Sequence, residues 1–150
     1  MNTQRYLYLL ATLQRWRPAP PLTEPPSLKA VKKRARRAER KADRRLAEAI
    51  EAGDDALLHH ARKAAKRARY AAELRKPLDK RAKSTAKHYL QFQRVLGDHQ
   101  DGVVASATLL RLARTAGTTA EENGFTYGLL FAREQQAAEA ARRRVRELVG

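Results

Sequence analysis

The sequence predicts an all-α protein, an antiparallel bundle of about six helices, and three observations lead to this class. Ala occupies 28 of the 150 positions, and Ala, Leu, Arg, Lys and Glu dominate a composition that favours helices. Aromatic residues make up only 6% of the chain, and no long run of β-branched residues is present to build a strand. Apolar residues recur instead at steps of three and four, the spacing of one helix face. A β-sandwich or barrel is therefore excluded.

A leading helix and a linker precede the bundle. Residues 1–17 are predicted to be helical because their leucines follow helical spacing and a proline comes directly after them. The segment 18–26 holds five of the six prolines and is predicted to be an extended linker. The remaining residues, 27–150, are predicted to form the bundle.

Two long helices open the bundle. The second helix covers about 27–52, where apolar residues mark one buried face, and Gly53 ends it. Asp54 or Asp55 is a good N-cap for the third helix, which reaches Lys76.

Proline and glycine divide the second half of the bundle. Pro77 precedes a fourth helix, predicted over about 79–96 and closed by Gly97. Asp98 then has the character of an N-cap, with Asp101 three residues on in the capping-box position. Capping explains this pair of carboxylates better than acid–base chemistry does.

Two further helices complete the predicted bundle. One covers about 99–115, and the last covers about 120–149 after a break at 117–119. Short connections of this kind join antiparallel neighbours, which sets the predicted topology.

The positive charge of the chain is large and uneven. There are 32 Lys and Arg against 16 Asp and Glu, a net charge of +16. Residues 29–87 contain 21 basic and 8 acidic residues, so this region alone carries a net +13. Such an excess calls for a polyanionic partner: nucleic acid, an anionic membrane surface or a phosphate polymer.

The third helix divides into a cationic face and an alanine face. At 100° per residue, its cationic side chains fall on one side over roughly three turns, and six alanines fall opposite. Solvated faces usually mix charge signs, whereas only Glu73 breaks the sign here, which favours an anion-binding face. The cationic residues are His59, Arg62, Lys63, Lys66 and Arg69, and the alanines are Ala61, Ala64, Ala65, Ala68, Ala71 and Ala72.

Cationic side chains of two other helices are predicted to extend the cationic face of the third helix, so that the combined surface binds successive phosphoryl groups. Guanidinium groups form bidentate bonds to phosphate oxygens, and ammonium groups act as point charges. The opposing wall is assigned to Arg36, Arg37, Arg40 and Arg44 of the second helix, with Lys83 or Lys87 contributed by the fourth.

Three segments of the chain resemble one known family. Residues 58–73, read as Leu-His-x-x-Arg-Lys-Ala-Ala-Lys-Arg-x-Arg-Tyr-x-x-Glu, resemble the signature of CHAD domains, the conserved-histidine α-helical domains. Residues 93–101, with a Leu-Gly turn followed by Asp, are similar to the second landmark of that family. Residues 125–128 resemble its closing segment. The resemblance runs from about Tyr6 onward and matches the C-terminal half of a domain built from two bundles.

This resemblance carries expectations about function. It implies a helical bundle whose basic residues line a pore or pocket that binds inorganic polyphosphate. It also implies a binding module without catalysis, of a kind that often occurs beside a CYTH triphosphatase domain.

The residue types needed for other chemistries are absent or badly spaced. The chain has no Cys, which excludes disulfides, thiolate catalysis and Cys-based zinc sites. His59 and His60 are adjacent and point about 100° apart on a helix, so they cannot chelate one ion. No nucleophile has a base beside it. We therefore expect no enzyme activity, no metal and no cofactor.

Two assignments stay open at this point. Gln93 and Tyr70 are equally well explained as ligand-facing donors and as contacts between helices.

The aromatic residues, Trp16 among them, are interpreted as core, with none interleaved among the basic residues to stack on bases. Non-specific DNA or RNA binding shares the charge argument but lacks such aromatic residues. It is therefore the alternative function, with nucleic acid as a secondary partner.

Assembly and location follow from the leading helix and the ligand. The apolar residues of the leading helix lack an obvious partner within the chain, so a homodimer that covers them is predicted. Its apolar stretch is too short to span a bilayer, and no membrane partner is expected. The expected location is the cytoplasm, in association with polyphosphate granules.

Overall fold

The structure, a computed structural model, describes residues 3–21, 26–118 and 122–149 and is all-α over those residues, as predicted. Clustering of contacts divides the chain into two compact units, Met1–Ala30 and Val31–Gly150. The α-helices are α1 (Gln4–Trp16), α2 (Leu28–Ala52), α3 (Asp55–Arg75), α4 (Ala82–Thr115) and α5 (Gly124–Glu147), and a short 3₁₀ turn, Ala116–Thr118, follows α4.

The first unit contains α1, a helix with its apolar side chains in solvent. No residue of α1 is buried, and Leu9 and Trp16 are about half exposed. The prediction that Trp16 belongs to the core is therefore wrong for the described residues. Within the second unit, Phe125 is also exposed, whereas Tyr89 and Phe92 are buried core residues.

The hairpin between α2 and α3 forms as the sequence predicts. Gly53 has a φ of 63°, the left-handed conformation that glycine adopts without strain at a helix end. Asp54 is the N-cap of α3, and its Oδ1 accepts a hydrogen bond of 2.8 Å from the Leu57 N–H. The chain therefore reverses within two residues, and α2 and α3 lie antiparallel.

The predicted break at Gly97 is wrong, because α4 is one continuous helix of 34 residues. Gly97 is buried within it and takes no left-handed conformation. Asp98 and Asp101 consequently lie inside the helix and cap nothing. Instead, Asp98 Oδ2 accepts a bond of 3.4 Å from Arg144 Nη2 of α5. A glycine costs an interior helical position only about 1 kcal/mol, which tertiary packing can override.

The boundaries on either side of α4 also differ from the prediction. Asp79 lies in a turn rather than in the helix, where its Oδ1 accepts a bond from the Arg81 N–H. The final helix begins at Gly124, and Asn123 Oδ1 accepts a bond from the Thr126 N–H as its N-cap. The predicted helix start at 120 falls in residues 119–121, which lie outside the described part of the chain.

The predicted alanine face of α3 is buried. The alanines at 61, 64, 65, 68 and 72 are buried, and the one at 71 is half-buried. Small side chains permit neighbouring helices to approach closely. A few larger apolar residues then fill the rest of the core. These larger residues include Leu46 from α2, Leu58 from α3, Tyr89, Phe92 and Leu96 from α4, and Val145 from α5.

Polar contacts tie α2 to the helices that follow it. The Tyr89 hydroxyl donates a bond of 2.7 Å to Asp43 Oδ1, and burial together with this carboxylate raises the pKa of Tyr89. The buried Arg75 forms ion pairs of 3.0 Å with Glu39 and 3.4 Å with Asp79. These contacts hold the C-terminal end of α3 and the first half of α4 against α2.

A polar network around the buried His99 ties α3 to α4 and α5. His99 is 2% exposed, and its Nε2 lies 3.2 Å from Asp55 Oδ1. Arg142 of α5 binds the same carboxylate oxygen. Burial lowers the pKa of His99, although the negative charge of Asp55 acts in the opposite direction. The N-terminal turn of α3 is thereby fixed against both later helices.

Candidate polyanion-binding site

Four cationic side chains and one histidine run along the outer side of α3, and we call this set the α3 strip: His59, Arg62, Lys63, Lys66 and Arg69. Lys63 and Lys66 are exposed, whereas His59, Arg62 and Arg69 are half-buried. The strip covers eleven residues of helix, and its ends are about 15 Å apart along the axis. Because the strip lies on the face of α3 opposite the buried alanines, it borders solvent along its length.

Several polar atoms at the α4 side of the α3 strip are buried without partners. His59 Nδ1 and Arg62 Nε make no hydrogen bond, and the Gln93 Oε1 of α4 also lacks one. Arg69 Nε is 3.6 Å from Glu73 Oε1, too far for a hydrogen bond. Buried polar groups are usually hydrogen-bonded, and four of the eight buried side-chain atoms without a partner among the described residues belong to these four residues.

Arg62 packs against Gly97 of the neighbouring helix. A β-carbon on Gly97 would lie 3.5 Å from Arg62 Nε and 3.7 Å from Nη2. The guanidinium therefore lies against α4 backbone, one helical turn beyond Gln93. The 93–97 segment of α4 supplies the wall beside the α3 strip, and it does so as an unbroken helix.

Tyr70 lies beside the α3 strip with its ring in solvent. The side chain is 44% exposed, and the guanidinium carbon of Arg69 is 4.6 Å from the ring centroid. Lys66 Nζ is 5.8 Å from the same centroid. An aromatic ring is therefore interleaved with these cations, contrary to the sequence-based expectation. Both cations interact favourably with the π-face of the ring.

Negative charge near the α3 strip is sparse. Within the described residues, only Arg69 of the strip has a carboxylate within 4.0 Å. Like charges at i,i+3 and i,i+4 repel one another, and this repulsion destabilises a helix unless a counter-anion is bound. The strip is therefore electrostatically suited to an anion from outside the chain.

Three of the four arginines predicted for the opposing wall, Arg37, Arg40 and Arg44, share one depression on α2. Arg36, Arg40 and Arg44 are exposed on α2, and Arg44 Nε lies 3.5 Å from Glu48. The depression is shallow and formed by α2 residues only. Arg37 alone also faces a cavity that contains α3 residues.

That cavity is a second cationic surface, which we call the α2–α3 groove. Its volume is about 340 Å³, and its lining contains no carboxylate. It brings Arg37 of the predicted wall together with Lys63 of the α3 strip. The full lining is Arg37, Ala38, Lys41 and Arg45 from α2 with His60, Lys63, Ala64 and Arg67 from α3.

Four cationic or titratable residues of this groove were missed by the sequence interpretation: Lys41, Arg45, His60 and Arg67. A signal for them exists in the helical angles. Lys41 and Arg45 flank the buried stripe of α2 on the side of Ala38, and His60 and Arg67 flank the alanines of α3. Because a two-residue turn joins the helices, those flanks meet.

Lys83 and Lys87 are both exposed on α4. At 100° per residue, Lys83 projects about 80° from the direction of Gln93 and Lys87 about 120° from it. Lys83 is thus the better placed of the two to extend the α3 strip.

Two other kinds of site are absent from the described residues. No group of three His, Asp or Glu side chains there could hold a metal ion. No helix in residues 3–21, 26–118 and 122–149 combines the length and apolarity needed to cross a membrane.

The fold and the site define an all-α helical domain with a cationic helix, small buried residues behind it and few counter-charges. The family to which this chain belongs is the CHAD domain family, whose model matches residues 1–110. The match includes the α3 strip, the α2–α3 groove and Gln93. Residues 125–128, which resemble the family's closing segment, fall outside the matched range.

Two curated relatives also match the chain. They are uncharacterized proteins of Mycobacterium tuberculosis, MT2285 of strain CDC 1551 / Oshkosh and Rv2226 of strain H37Rv. Each is 38% identical over 125 residues, which cover 81% of this chain and 22% of the relative. The chain thus spans about a fifth of the length of these relatives. No solved structure matches it.

Proposed function

We propose that this chain binds inorganic polyphosphate through the α3 strip and does so without catalysis. The observation that carries the proposal is the set of orphaned polar atoms on His59, Arg62 and Gln93, on a cationic face with almost no carboxylate. Membership of the CHAD family supports the choice of ligand.

Phosphoryl oxygens meet the chemical needs of this surface. Arg62 and Arg69 can each offer a fork of N–H donors, and Lys63 and Lys66 can follow the polymer as mobile point charges. The Gln93 amide can donate its own N–H when the amide is turned, since its oxygen accepts nothing at present. Binding also releases counterions from the polymer, so affinity falls as salt rises.

Nucleic acid is the second candidate, and Tyr70 is the observation in its favour. An exposed ring beside cations is the arrangement on which bases stack, at about 1–3 kcal/mol per base. Polyphosphate has no base to stack, so Tyr70 contributes little to its binding beyond the cation–π contacts. Loss of the Tyr70 ring should therefore weaken binding of nucleic acid and change binding of polyphosphate little.

Competition distinguishes the two ligands. The full chain is bound to fluorescent medium-chain polyphosphate at physiological salt, and unlabelled polyphosphate or duplex DNA is added at equal phosphate concentration. The proposal predicts that polyphosphate competes better and that Tyr70→Leu leaves this competition within about threefold of wild type. Stronger competition by DNA, weakened by Tyr70→Leu, would contradict it in favour of nucleic acid.

Cellular location follows from the proposed ligand. A polyphosphate-binding protein with no cysteine suits the reducing cytoplasm, and we place it with polyphosphate granules there. Imaging of a fluorescent fusion in cells with and without polyphosphate tests this. Granule association that persists without polyphosphate would contradict it.

A further inference from the structure

We propose that the α2–α3 groove is a second anion site, which takes a compact anion carrying several adjacent phosphoryl groups. The inference shares its ligand chemistry with the proposed function, but it depends on a different face of α3, and Lys63 is the one side chain that the two sets have in common. Inorganic tripolyphosphate is the simplest member of the ligand class.

Two rows of cationic or titratable side chains face each other across this groove. The α2 row has positions i, i+4 and i+8, and the α3 row has positions i, i+3 and i+7 in the antiparallel direction. The alanines Ala38 and Ala64 lie between the rows and keep the groove open. The rows are Arg37, Lys41 and Arg45 on one wall and His60, Lys63 and Arg67 on the other.

Nothing within the described residues neutralises this charge. No carboxylate lies within 4.0 Å of any Arg or Lys of the α2–α3 groove, although Arg44, Arg69 and Arg75 nearby all have such partners. Five unpaired cations around about 340 Å³ repel one another, and a multivalent anion between the walls removes that repulsion.

The length of the groove sets the size of the ligand. Eight residues of helix separate the ends of the α2 row and seven those of the α3 row, so each wall is about 10–12 Å long. Toward the interhelical turn, the next positions of the two rows are Ala49 and Ala56, which carry no charge. A volume of about 340 Å³ is near the lower end for small-molecule pockets. The groove therefore fits a short condensed phosphate or the end of a longer one.

One pair of exposed side chains tests the α2–α3 groove with little risk to the fold. Lys41→Ala with Arg67→Ala removes one cation from each wall, and both residues are exposed. Arg143→Ala with Arg146→Ala removes the same charge from exposed positions of α5, outside the groove. Arg62→Ala with Lys66→Ala alters the α3 strip instead. Thermal melts followed by circular dichroism verify that each variant folds.

Calorimetric titration with tripolyphosphate and with long-chain polyphosphate, at physiological salt, decides the proposal. The groove variant should bind tripolyphosphate at least tenfold more weakly than wild type, while the other two variants stay within about threefold. Tripolyphosphate binding that survives in the groove variant, or that falls equally in the α3 strip variant, would overturn the inference.

The long-chain titration distinguishes this inference from the proposed function. In one outcome, long-chain polyphosphate does not bind wild type, while tripolyphosphate binding still depends on Lys41 and Arg67. That outcome contradicts the proposed function and supports the proposed site in the groove. If the groove takes the end of a long chain as well as the free anion, adding tripolyphosphate to the long-chain complex reduces its affinity. That competition should disappear in the groove variant, and its persistence there would place tripolyphosphate elsewhere.

Discussion

The Arg62 guanidinium lies against Gly97 of the neighbouring helix, where a β-carbon would stand 3.5 Å from Arg62 Nε. This separation is an ordinary van der Waals contact, so Gly97 faces the α3 strip without being sterically required there. Gly97 has the character of a helix terminator, and it nevertheless lies inside a helix of 34 residues. Packing against α3 outweighs the modest intrinsic cost of glycine.

Alanine at Gly97 should stabilise the protein. Gly97→Ala gains up to about 1 kcal/mol of helix propensity and introduces no close contact. Urea denaturation should therefore give a higher midpoint. A lower midpoint would mean that Gly97 ends a helix after all.

Gly102→Ala is the matched control in the same helix. Its β-carbon would be 3.1 Å from Ala138 Cβ and 3.1 Å from the Glu134 carbonyl oxygen. Overpacking of this kind costs about 1–3 kcal/mol, which exceeds the gain in propensity. The two alanine variants should therefore shift the urea midpoint in opposite directions.

A carboxylate on the alanine face should unfold or loosen the bundle. Ala68 is completely buried on α3, and Ala68→Glu places an uncompensated charge there at a cost of about 3–5 kcal/mol. Ala56→Glu, at an exposed position in the first turn of α3, should stay within about 0.5 kcal/mol of wild type. Equal melting temperatures for these two variants would show that the buried face is wrongly assigned.

Local sequence signals predicted the first half of the bundle better than the second. Gly53 and Asp54 determine their own turn through φ and capping, so the α2–α3 hairpin followed from adjacent residues. Gly97 and Asp98 carry equally strong signals, but Gly97 packs against Arg62 and Asp98 accepts a hydrogen bond from Arg144, and both arginines lie far away in sequence. A local sequence signal alone therefore does not predict whether a helix ends where side chains distant in sequence pack against it.

The candidate site shows the same contrast. The α3 strip was predictable because the 3.6-residue period of one helix places its cations and alanines on opposite faces. The α2–α3 groove depends on which flanks of two helices meet. That relation depends on the turn at Gly53 and on packing, so Lys41, Arg45, His60 and Arg67 were missed although each stands in a basic region.

Acid should weaken the fold through His99. Burial lowers the pKa of His99 in the folded protein below its unfolded value of about 6.5, so the folded state binds fewer protons. The stability that depends on neutral His99 is then complete above the unfolded pKa. It is lost as pH falls from there through the folded pKa.

Urea titrations at pH 7.5 and pH 5 measure this effect. The midpoint of wild type should fall between the two, and His99→Gln, which cannot take up the proton, should show a smaller fall. An identical fall in the variant would mean that His99 does not contribute to the pH dependence.

The exposed apolar side chains of α1 predict self-association. Leu9 is 54% exposed and Leu13 50% exposed, and no residue of α1 is buried. A symmetric dimer would cover such a face. Sedimentation at tens of micromolar should show a dimer, and Leu9→Glu with Leu13→Glu should give a monomer. A clean wild-type monomer at that concentration would contradict the prediction.

The central claim, that the α3 strip is a defined polyphosphate site, is tested most directly by two pairs of substitutions that remove equal charge. Arg62→Ala with Lys66→Ala deletes two members of the α3 strip. Arg143→Ala with Arg146→Ala deletes two exposed arginines of α5 that have no carboxylate partner among the described residues.

Medium-chain polyphosphate is titrated into wild type and both double variants at two salt concentrations. Each charged hydrogen bond is worth about 1.5–3 kcal/mol, so the α3 strip variant should lose roughly a hundredfold in affinity. Its dependence on salt should also become shallower, because fewer phosphates are neutralised. The α5 variant should change little. Equal losses in the two variants would instead indicate diffuse electrostatic attraction and contradict a site on α3.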